Sequence, residues 1–378
     1  MNDLPADLPR GSLAPHDRGW LARAIALAET ARAITSPNPA VGCVLVNEGR
    51  IVGEGATRPA GGPHAEAVAL AEAGDTAAGA TAYVTLEPCA HQGRTPPCAP
   101  ALVAAGVARV VIIHPDPNPV ATGGRDLLTD GDVEVVGPLA EGDLYRDTVA
   151  AQLEGFVTTV GLRRPHVTLK VAQTTDGHLV APSGRWVTGE PARRAVHRWR
   201  AAVDAVLVGI GTVVADDPRL DVRHVRTERQ PRAVVIDSRL ATPLQAAVAR
   251  PGSVVITTDQ ATPERVQALR QVGVDVEVVA GSDGRVSLSS ALARLGHLGI
   301  TSVLAEPGPT LAQALLDADL VDRLVVHVGD HGGGTVVVPA LTPNPSTAWR
   351  LERLGGIGAD AAIHLLRHRQ RTPHGKAA

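Results

Sequence analysis

The chain has 378 residues, of which 44% are hydrophobic and 2% aromatic, and its formal net charge is −3. This length is sufficient for two domains with separate cores. The near-neutral charge and the scarcity of aromatic side chains argue against a nucleic-acid partner, since base-stacking grooves need basic and aromatic residues together. No run of about eighteen apolar residues occurs, so no membrane partner is expected. Three cysteines without a disulfide pattern favour a reducing, cytoplasmic compartment.

The N-terminal elements are a tail, a helix and a strand. The first fifteen residues are polar and rich in proline, which predicts a disordered tail over 1–15 without an apolar signal segment. Residues 17–35 carry apolar side chains at helical spacing, and the apolar run 41–47 predicts a buried strand. Glu48 and Gly49 then predict a turn.

Helices and strands alternate through the rest of the N-terminal half. The predicted elements are a helix over 64–73, a strand over 81–86, a helix over 99–105, strands over 109–114 and 133–136, and a helix over 139–160. A domain boundary is expected at Gly161–Pro165, where glycine, arginine and proline follow the last helix.

Four residues of this half indicate its chemistry: His64, Glu66, Cys89 and Cys98. One imidazole and two thiolates are typical zinc ligands, and three protein ligands leave the fourth tetrahedral position open for water. Glu66 is not part of the ligand set and is placed to move a proton between that water and a substrate. The sequence therefore predicts one Zn²⁺ ion per chain and a hydrolytic deaminase.

Other interpretations of the same residues are a closed structural zinc site, two cysteines buried as apolar residues, or a zinc-binding interaction protein without catalysis. Proline precedes both cysteines, and a closed site needs a fourth Cys or His nearby. His91 is the one rival ligand, and we assign it to the substrate side. The eight-residue loop between the cysteines also differs from the Pro-Cys-x-x-Cys of deaminases that act on nucleic acids.

The second half has no comparable metal motif. Its predicted elements are strands over 167–172, 205–209 and 323–328 and a helix over 191–201. Gly209 and Gly211 match the start of a dinucleotide fingerprint, but the third glycine is missing. Val303–Thr310, where an apolar strand passes through a glycine into a helix, is a better phosphate site, with an ordinary strand-to-helix turn as the alternative.

Lys170 lies inside the first strand of the second half. The chain has 36 lysines and arginines, and just two of them, Lys170 and Lys376, are lysines. A lysine kept in so arginine-rich a composition indicates that this position needs a compact cation, with a snorkelling lysine at a sheet edge as the alternative.

The motifs of both halves resemble one family, the bifunctional deaminase/reductases of riboflavin biosynthesis. The segments that carry the resemblance are Pro37-Asn38-Pro39, His64-Ala65-Glu66, Thr85 to Cys98 and Asp116-Pro117-Asn118 in the first half, and Lys170, Asp176-Gly177, Trp186, Gly211-Thr212, Asp216-Asp217-Pro218, Asp237-Ser238 and Glu306-Pro307-Gly308 in the second. The resemblance implies an α/β fold class, with a cytidine-deaminase-like three-layer domain over 16–160 and a dihydrofolate-reductase-like domain over 161–378.

The resemblance also implies residue roles. In the first domain His64, Cys89 and Cys98 would hold zinc, Glu66 would be the proton shuttle, and the pyrimidine pocket would be lined by Asn38, His91 and Arg94. In the second domain NADPH would contact Ala172, Trp186, Thr212, Asp216, Ser238, Gly308, Pro309, Thr310, Leu311, Ala312, Gln313 and Ala314. The substrate would contact Arg200, Leu220, Arg223 and Glu306. Two arginines suit a sugar 5′-phosphate, and a glutamate suits sugar hydroxyls.

Two segments depart from the family's pattern. The turn before Trp186 is short, so that Ser183 and Gly184 compete for one position, and Gly329–Gly334 replaces an Ala-Pro-Lys-x-x-Gly segment. The sequence thus predicts deamination of a diaminopyrimidinone ribosylamino 5′-phosphate followed by NADPH-dependent reduction. A deaminase paralogue of another aminopyrimidine pathway, with a diverged reductase half, is the alternative, and a homo-oligomer stays open. A free-base or nucleic-acid deaminase would share the zinc motif but lack the second domain.

Overall fold

The computed structural model describes residues 13–32, 34–93, 95–175, 177, 179, 186–227, 229–329 and 348–367. The chain divides into two compact units, Met1–Arg163 and Arg164–Ala378. Most of the tail predicted over 1–15 lies outside the described residues. No helix in the described ranges is long and apolar enough to cross a membrane.

The first unit is built on one mixed sheet. Its elements, within the described residues, are α1 (Asp17–Ala31), β1 (Gly42–Asn47), β2 (Arg50–Ala56), α2 (Ala65–Ala73), a 3₁₀ turn (Gly74–Ala77), β3 (Thr81–Leu86), α3 (Cys98–Ala104), β4 (Arg109–His114), α4 (Gly124–Asp130), β5 (Glu134–Val136), α5 (Leu144–Gln152) and α6 (Glu154–Leu162). The strand order is β2-β1-β3-β4-β5. β1 is antiparallel to β2 and β3, whereas β3, β4 and β5 run parallel.

Helices cover both faces of this sheet. A Cβ atom at Gly42 of β1 would lie 2.0 Å from the Ala24 carbonyl oxygen of α1. On the opposite face, a Cβ atom at Gly55 of β2 would lie 2.3 Å from the Ala65 carbonyl oxygen of α2. Glycine at both strand positions therefore lets a helix lie directly against the sheet, and the result is three layers.

Most predicted elements of this unit are confirmed to within a residue or two, but the first helix is shorter than predicted. The prediction over 17–35 is wrong at its C-terminal end, because α1 ends at Ala31. The backbone then turns, with the Thr35 carbonyl oxygen accepting a hydrogen bond from the Asn38 N–H. Proline after this turn excludes further helical hydrogen bonding.

The single helix predicted over 139–160 is also wrong. Leu139 is held in an extended backbone by its N–H, which donates to the Ile113 carbonyl oxygen. α5 begins after Asp143, whose side chain accepts a hydrogen bond from the Tyr145 N–H and so caps the helix. Leu153, with φ −94° and ψ 0°, then separates α5 from α6.

The second unit contains a larger sheet that is parallel in its centre. Its elements, within the described residues, are β6 (His166–Thr174), α7 (Glu190–Ala201), β7 (Ala205–Gly209), α8 (Ile210–Asp216), β8 (Arg232–Ile236), β9 (Val254–Thr257), α9 (Pro263–Gln271), β10 (Asp275–Val278), β11 (Gly281–Ser282), β12 (Arg285–Val286), α10 (Leu288–His297), β13 (Ser302–Ala305), α11 (Pro309–Asp317), β14 (Arg323–Gly329), β15 (Trp349–Ile357) and β16 (Asp360–Arg367). The strand order is β10-β9-β8-β7-β13-β6-β14-β16-β15.

The topology places the ends of several strands beside one another. β13 lies between β7 and β6 and is parallel to both, and β14 is parallel to β6. The carboxyl ends of these strands therefore share one edge of the sheet, which is where open α/β sheets bind ligands. The strands predicted over 167–172, 205–209 and 323–328 and the helix over 191–201 are confirmed.

Candidate metal centre and reductase cavity

His64, Cys89 and Cys98 bring one ligand atom each to a common point. The Nδ1 atom of His64 lies 3.7 Å from Sγ of Cys89 and 3.4 Å from Sγ of Cys98. Tetrahedral coordination with ordinary Zn–N and Zn–S bonds requires N···S separations of about 3.5 Å. The donor set and its spacing therefore fit Zn²⁺. No other group of this kind occurs among the described residues.

The first unit assembles this cluster from helix and strand ends. His64 is the N-cap of α2, Cys98 is the first residue of α3, and Cys89 follows the carboxyl end of β3. A Cβ atom at Gly124 would lie 1.8 Å from the Pro88 carbonyl oxygen, so only glycine lets α4 pack against the segment that carries Cys89.

Hydrogen bonds orient the ligands. The Nε2 atom of His64 lies 3.1 Å from Oγ1 of Thr95, and a bond from this ring nitrogen to the hydroxyl leaves the Nδ1 lone pair free for a metal. The Cys98 N–H donates to Sγ of Cys89 at 3.4 Å. The Cys98 thiol shares its proton with Sγ of Cys89, and this hydrogen bond lowers the pKa of Cys89 to about 4. The same hydrogen bond, together with burial, raises the pKa of Cys98. A dication would be needed to hold both sulfurs as thiolates.

Glu66 lies in the first turn of α2 and is buried, with 4% of its surface exposed. Burial raises its pKa above the usual range, since a carboxylate loses hydration there. A raised pKa makes this carboxylate a stronger proton acceptor than a hydrated glutamate, which suits a proton shuttle.

The residues predicted for the pyrimidine pocket are partly described. Nδ1 of His91 is buried and has no hydrogen-bond partner among the described residues. Asn38 lies in the turn after α1, and Arg94 lies outside the described residues. Asp116, beyond the carboxyl end of β4, was not predicted as a site residue. Burial, together with the charges of Glu87 and Cys89, raises its pKa to about 6.

The second unit contains a cavity of about 960 Å³. Its lining includes these predicted residues: Lys170, Ala172, Trp186, Arg200, Thr212, Asp216, Arg223, Glu306, Gly308, Pro309, Thr310, Leu311 and Ala312. They come from β6, the segment before α7, α7 itself, α8, the loop after α8, the segment after β13 and the start of α11. The volume lies at the upper end of what small-molecule sites occupy.

Glu306 and Arg200 form a buried ion pair in this cavity. Oε1 of Glu306 accepts from Nε of Arg200 at 2.7 Å and Oε2 accepts from Nη2 at 3.1 Å, and their side chains are 14% and 12% exposed. Burial acts to raise the pKa of Glu306, but the cations of Arg200 and Lys170 hold it below its usual value. Burial lowers the pKa of Lys170. Glu306 is therefore a carboxylate between two cations.

The segment after β13 also connects to α8. The Gly308 N–H donates to Oγ1 of Thr212 at 3.1 Å, and Gly308 is the N-cap of α11. The free N–H groups of the first turn of α11 are available to an anion at this end of the cavity. The phosphate site predicted at Val303–Thr310 thus has the backbone geometry that such a site needs.

Four residues predicted to contact ligands are not in the cavity lining. Leu220 is 2% exposed in a hydrophobic core, and Ser238 bonds to the protein through its hydroxyl, which accepts from the Val286 N–H. Gln313 and Ala314 lie deeper in α11 than the residues that line the cavity. Their roles stay predictions, and the departures at Ser183, Gly184 and residues 330–334 lie outside the described residues.

Sequence reasoning missed Thr95, Asp116 and Arg193, which contact or line the two sites. Asp116 could have been found from its position, because it follows β4 as Cys89 follows β3, and neighbouring parallel strands end at the same edge. Arg193 lies two helical turns before Arg200 on α7 and so faces the same side. Thr95 gives no such signal, since its loop has no regular structure.

Comparison with known sequences identifies a family for each half of the chain. Residues 15–114 match the cytidine and deoxycytidylate deaminase zinc-binding region, and residues 165–362 match the RibD C-terminal domain. The chain is 40% identical over 363 residues to the riboflavin biosynthesis protein RibD of Aquifex aeolicus, covering 93% of this chain and 99% of the relative. Its counterpart in Escherichia coli is 39% identical over 377 residues, covering 93% and 99%.

Solved structures give the same result. RibD of Acinetobacter baumannii superposes with a TM-score of 0.80 at 36% identity, covering 93% of this chain and 99% of that one. A diaminohydroxyphosphoribosylaminopyrimidine deaminase/5-amino-6-(5-phosphoribosylamino)uracil reductase of Thermotoga maritima superposes with a TM-score of 0.77 at 30% identity, covering 93% and 98%. The predicted fold class is confirmed. The chain belongs to the RibD family, the bifunctional deaminase/reductases of riboflavin biosynthesis.

Proposed function

We propose that the first unit deaminates 2,5-diamino-6-ribosylamino-4(3H)-pyrimidinone 5′-phosphate and that the second unit reduces the ribosyl group of the product to ribityl with NADPH. The observation that carries the proposal is the combination of two sites. The first unit has three zinc-type ligands beside the buried Glu66, and the second unit has a cavity lined by the predicted reductase residues. The Thermotoga maritima relative is a deaminase and reductase of phosphoribosylamino pyrimidines, which supports this substrate class.

In the deaminase site His64, Cys89 and Cys98 would hold the metal. Zinc, when bound, would lower the pKa of a water molecule toward neutrality. The Glu66 carboxylate would take one proton from the attacking water and pass it to the ring nitrogen, and would then take the second proton from the same oxygen and pass it to the amine, which leaves as ammonia. Its buried position supports this role, because burial raises the pKa of the carboxyl group and so makes the carboxylate a stronger proton acceptor.

Other polar groups of the first unit would orient the pyrimidine. The buried Nδ1 of His91, which has no partner within the described part of the chain, would bond a ring substituent. Asp116 lies close enough to His91 for their charges to interact, which supports a place for both at the substrate. Asn38 and Arg94 are carried over from the family's pattern.

In the reductase site NADPH, when bound, would supply the hydride that the ribosyl carbon receives. The N–H groups of Thr310 and Leu311 in the first turn of α11 would hold cofactor phosphate, and Thr212 fixes that segment through the hydrogen bond that it accepts from the Gly308 N–H. Glu306 accepts hydrogen bonds from sugar hydroxyls. The ammonium group of Lys170 delivers the proton that accompanies reduction, because burial weakens its hold on that proton.

Product analysis with and without cofactor tests this proposal. The full-length protein with zinc should release ammonia from the diaminopyrimidinone phosphate without any nicotinamide, and NADPH should then be oxidised once per molecule of ribityl product. NADH serves as the control cofactor. Ammonia release without any NADPH oxidation would contradict the second half of the proposal and indicate a paralogue with an inactive reductase unit. The cytoplasmic location stays a prediction.

A further inference from the structure

The cations that line the reductase cavity differ in whether a carboxylate neutralises them. Arg200 is paired with Glu306 at 2.7 Å, and its Nη1 also donates to the Asp221 carbonyl oxygen at 3.1 Å. The Nε atom of Arg223 lies 3.4 Å from Oδ1 of Asp221. These guanidinium groups are therefore at least partly compensated by the protein itself, so that little of the charge on Arg200 is left for a ligand.

Arg194, which also lines the cavity, donates to Glu190 at 2.8 Å on the exposed side of α7. Lys170 is close enough to Glu306 for each to shift the other's pKa. Of the five lysine and arginine side chains that line the cavity in the described residues, four thus have an acidic neighbour within the protein.

Arg193 is the exception. In the part of the chain that the structure describes, no carboxylate oxygen lies within 4.0 Å of its guanidinium nitrogens, although the side chain is half-buried and lines the cavity. Its Nη1 donates to the Thr188 carbonyl oxygen at 2.6 Å, and its Cζ lies 5.2 Å from the centroid of the Trp186 ring. The contacts with Thr188 and Trp186 fix the plane of the guanidinium without neutralising its charge.

A guanidinium held in this way is preorganised for an oxyanion. Arginine has five N–H donors, and one of them is used by the Thr188 carbonyl oxygen. The remaining donors can form a charge-assisted pair with a phosphate, and no rotamer freedom has to be lost on binding because the side chain is already anchored. The neighbouring anion site at the start of α11 offers backbone N–H groups and no full positive charge, so the two sites suit different phosphates.

We infer that Arg193 binds a phosphate monoester dianion in the reductase cavity, an inference that rests on the proposed function. Two ligands of the proposed reaction carry such a group, the 5′-phosphate of the ribosylaminouracil and the 2′-phosphate of NADPH. The first source makes Arg193 a determinant of substrate affinity, and the second makes it a determinant of the preference for NADPH over NADH. Both phosphates are monoester dianions, and measured affinities for the separate ligands distinguish which of them Arg193 binds.

Calorimetric titration of the full-length protein tests the inference with four ligands: NADPH, NADH, the phosphorylated ribosylaminouracil and its dephosphorylated form. The variants are Arg193→Ala, Arg193→Lys and, as the matched control, Arg198→Ala, which removes an exposed arginine of the same helix outside the cavity lining. Loss of a charge-assisted pair should weaken binding about tenfold or more in Arg193→Ala, with a smaller loss in Arg193→Lys, which keeps the charge but not the planar donor set.

The pattern of losses identifies the phosphate. A loss confined to NADPH, with NADH unchanged, assigns Arg193 to the 2′-phosphate, and a loss confined to the phosphorylated substrate assigns it to the 5′-phosphate. Equal losses for phosphorylated and unphosphorylated ligands would overturn the inference, since they would show that Arg193 only positions Trp186 and Thr188. Unchanged binding in Arg193→Ala would overturn it as well. Wild-type protein that binds none of the four ligands would instead refute the proposed reductase function, and the inference with it.

Discussion

The metal centre of the first unit and the cavity of the second unit differ in how far apart in sequence their residues lie. The three zinc ligands lie between His64 and Cys98 and come from two helix starts and one loop. The cavity uses residues from Lys170 to Ala312, on strands, helices and connections that are far apart in sequence. A metal ion forms a few strong, directional bonds, so a short motif can specify its site. A large organic ligand needs many weaker contacts from several elements.

The largest expected effect separates proton transfer from metal binding in the first unit. Glu66→Gln should reduce ammonia release about 10³-fold, because the uncharged amide cannot accept the proton from water. Zinc content should stay at one ion per chain, since Glu66 is not a ligand, while NADPH-dependent reduction of the ribosylaminouracil should be unchanged. Rate assays and metal analysis of the same preparation check this.

Cys98→Ser is the control for Glu66→Gln and should lose zinc together with ammonia release, because the ligand set falls to two strong donors. Near wild-type deamination by Glu66→Gln would contradict the proton-shuttle mechanism. Loss of NADPH-dependent reduction in either variant would show that the two units are not chemically independent.

The next effect concerns the buried ion pair of the second unit. Glu306→Gln leaves the Arg200 cation in the cavity without its carboxylate, and breaking such a pair from one side costs about 3 kcal/mol or more of unfolding free energy. Denaturant unfolding followed by tryptophan fluorescence measures this, because Trp186, Trp199 and Trp349 lie in the second unit and one tryptophan, Trp20, lies in the first.

Glu190→Gln is the matched control for Glu306→Gln. It breaks the pair between Glu190 and Arg194, in which the side chains are 69% and 54% exposed. The unfolding free energy should therefore change by less than about 0.5 kcal/mol. Equal effects of the two variants would mean that the Glu306–Arg200 pair is as well hydrated as a surface pair.

The smallest expected effect is a pH dependence that belongs to the second unit. His327 is fully buried beside Trp199, and in the part of the chain that the structure describes neither of its ring nitrogens has a hydrogen-bond partner. Burial, with the nearby charges of Lys170 and His364, lowers its pKa to about 4. The unfolded chain, with a histidine pKa of about 6.5, therefore binds the proton more tightly, and stability falls as the pH drops from about 6.5 to 4, by at most about 3 kcal/mol.

His327→Phe should remove this part of the acid sensitivity while leaving stability near pH 7 unchanged or higher, because an unpartnered buried polar group is removed. Unfolding midpoints of wild type and variant between pH 4 and about 7 check this. His297→Gln, at an exposed position of α10, is the control. A variant with the same pH slope as wild type would show that the His327 ring is not kept neutral by the fold.

The sequence was sufficient for the features that depend on local chemistry. Residue identity and spacing predicted the ligands His64, Cys89 and Cys98, the acid Glu66, and most helices and strands, because periodicity and ligand type are properties of short segments. The helix predicted over 139–160 failed because the Leu139 N–H pairs with a distant strand residue, which no local pattern reveals.

Only the tertiary structure determined which charged groups form ion pairs and which are buried. Both Arg200 and Arg223 were predicted to face a phosphate, yet Arg200 is paired with Glu306, which lies 106 positions away in the chain. Arg193, which has no carboxylate partner among the described residues, belongs to no sequence motif. The same holds for Asp116, whose raised pKa comes from burial and from neighbours on other segments. Ion pairing and desolvation depend on which groups the fold brings together, and the spacing of residues along the sequence does not reveal them.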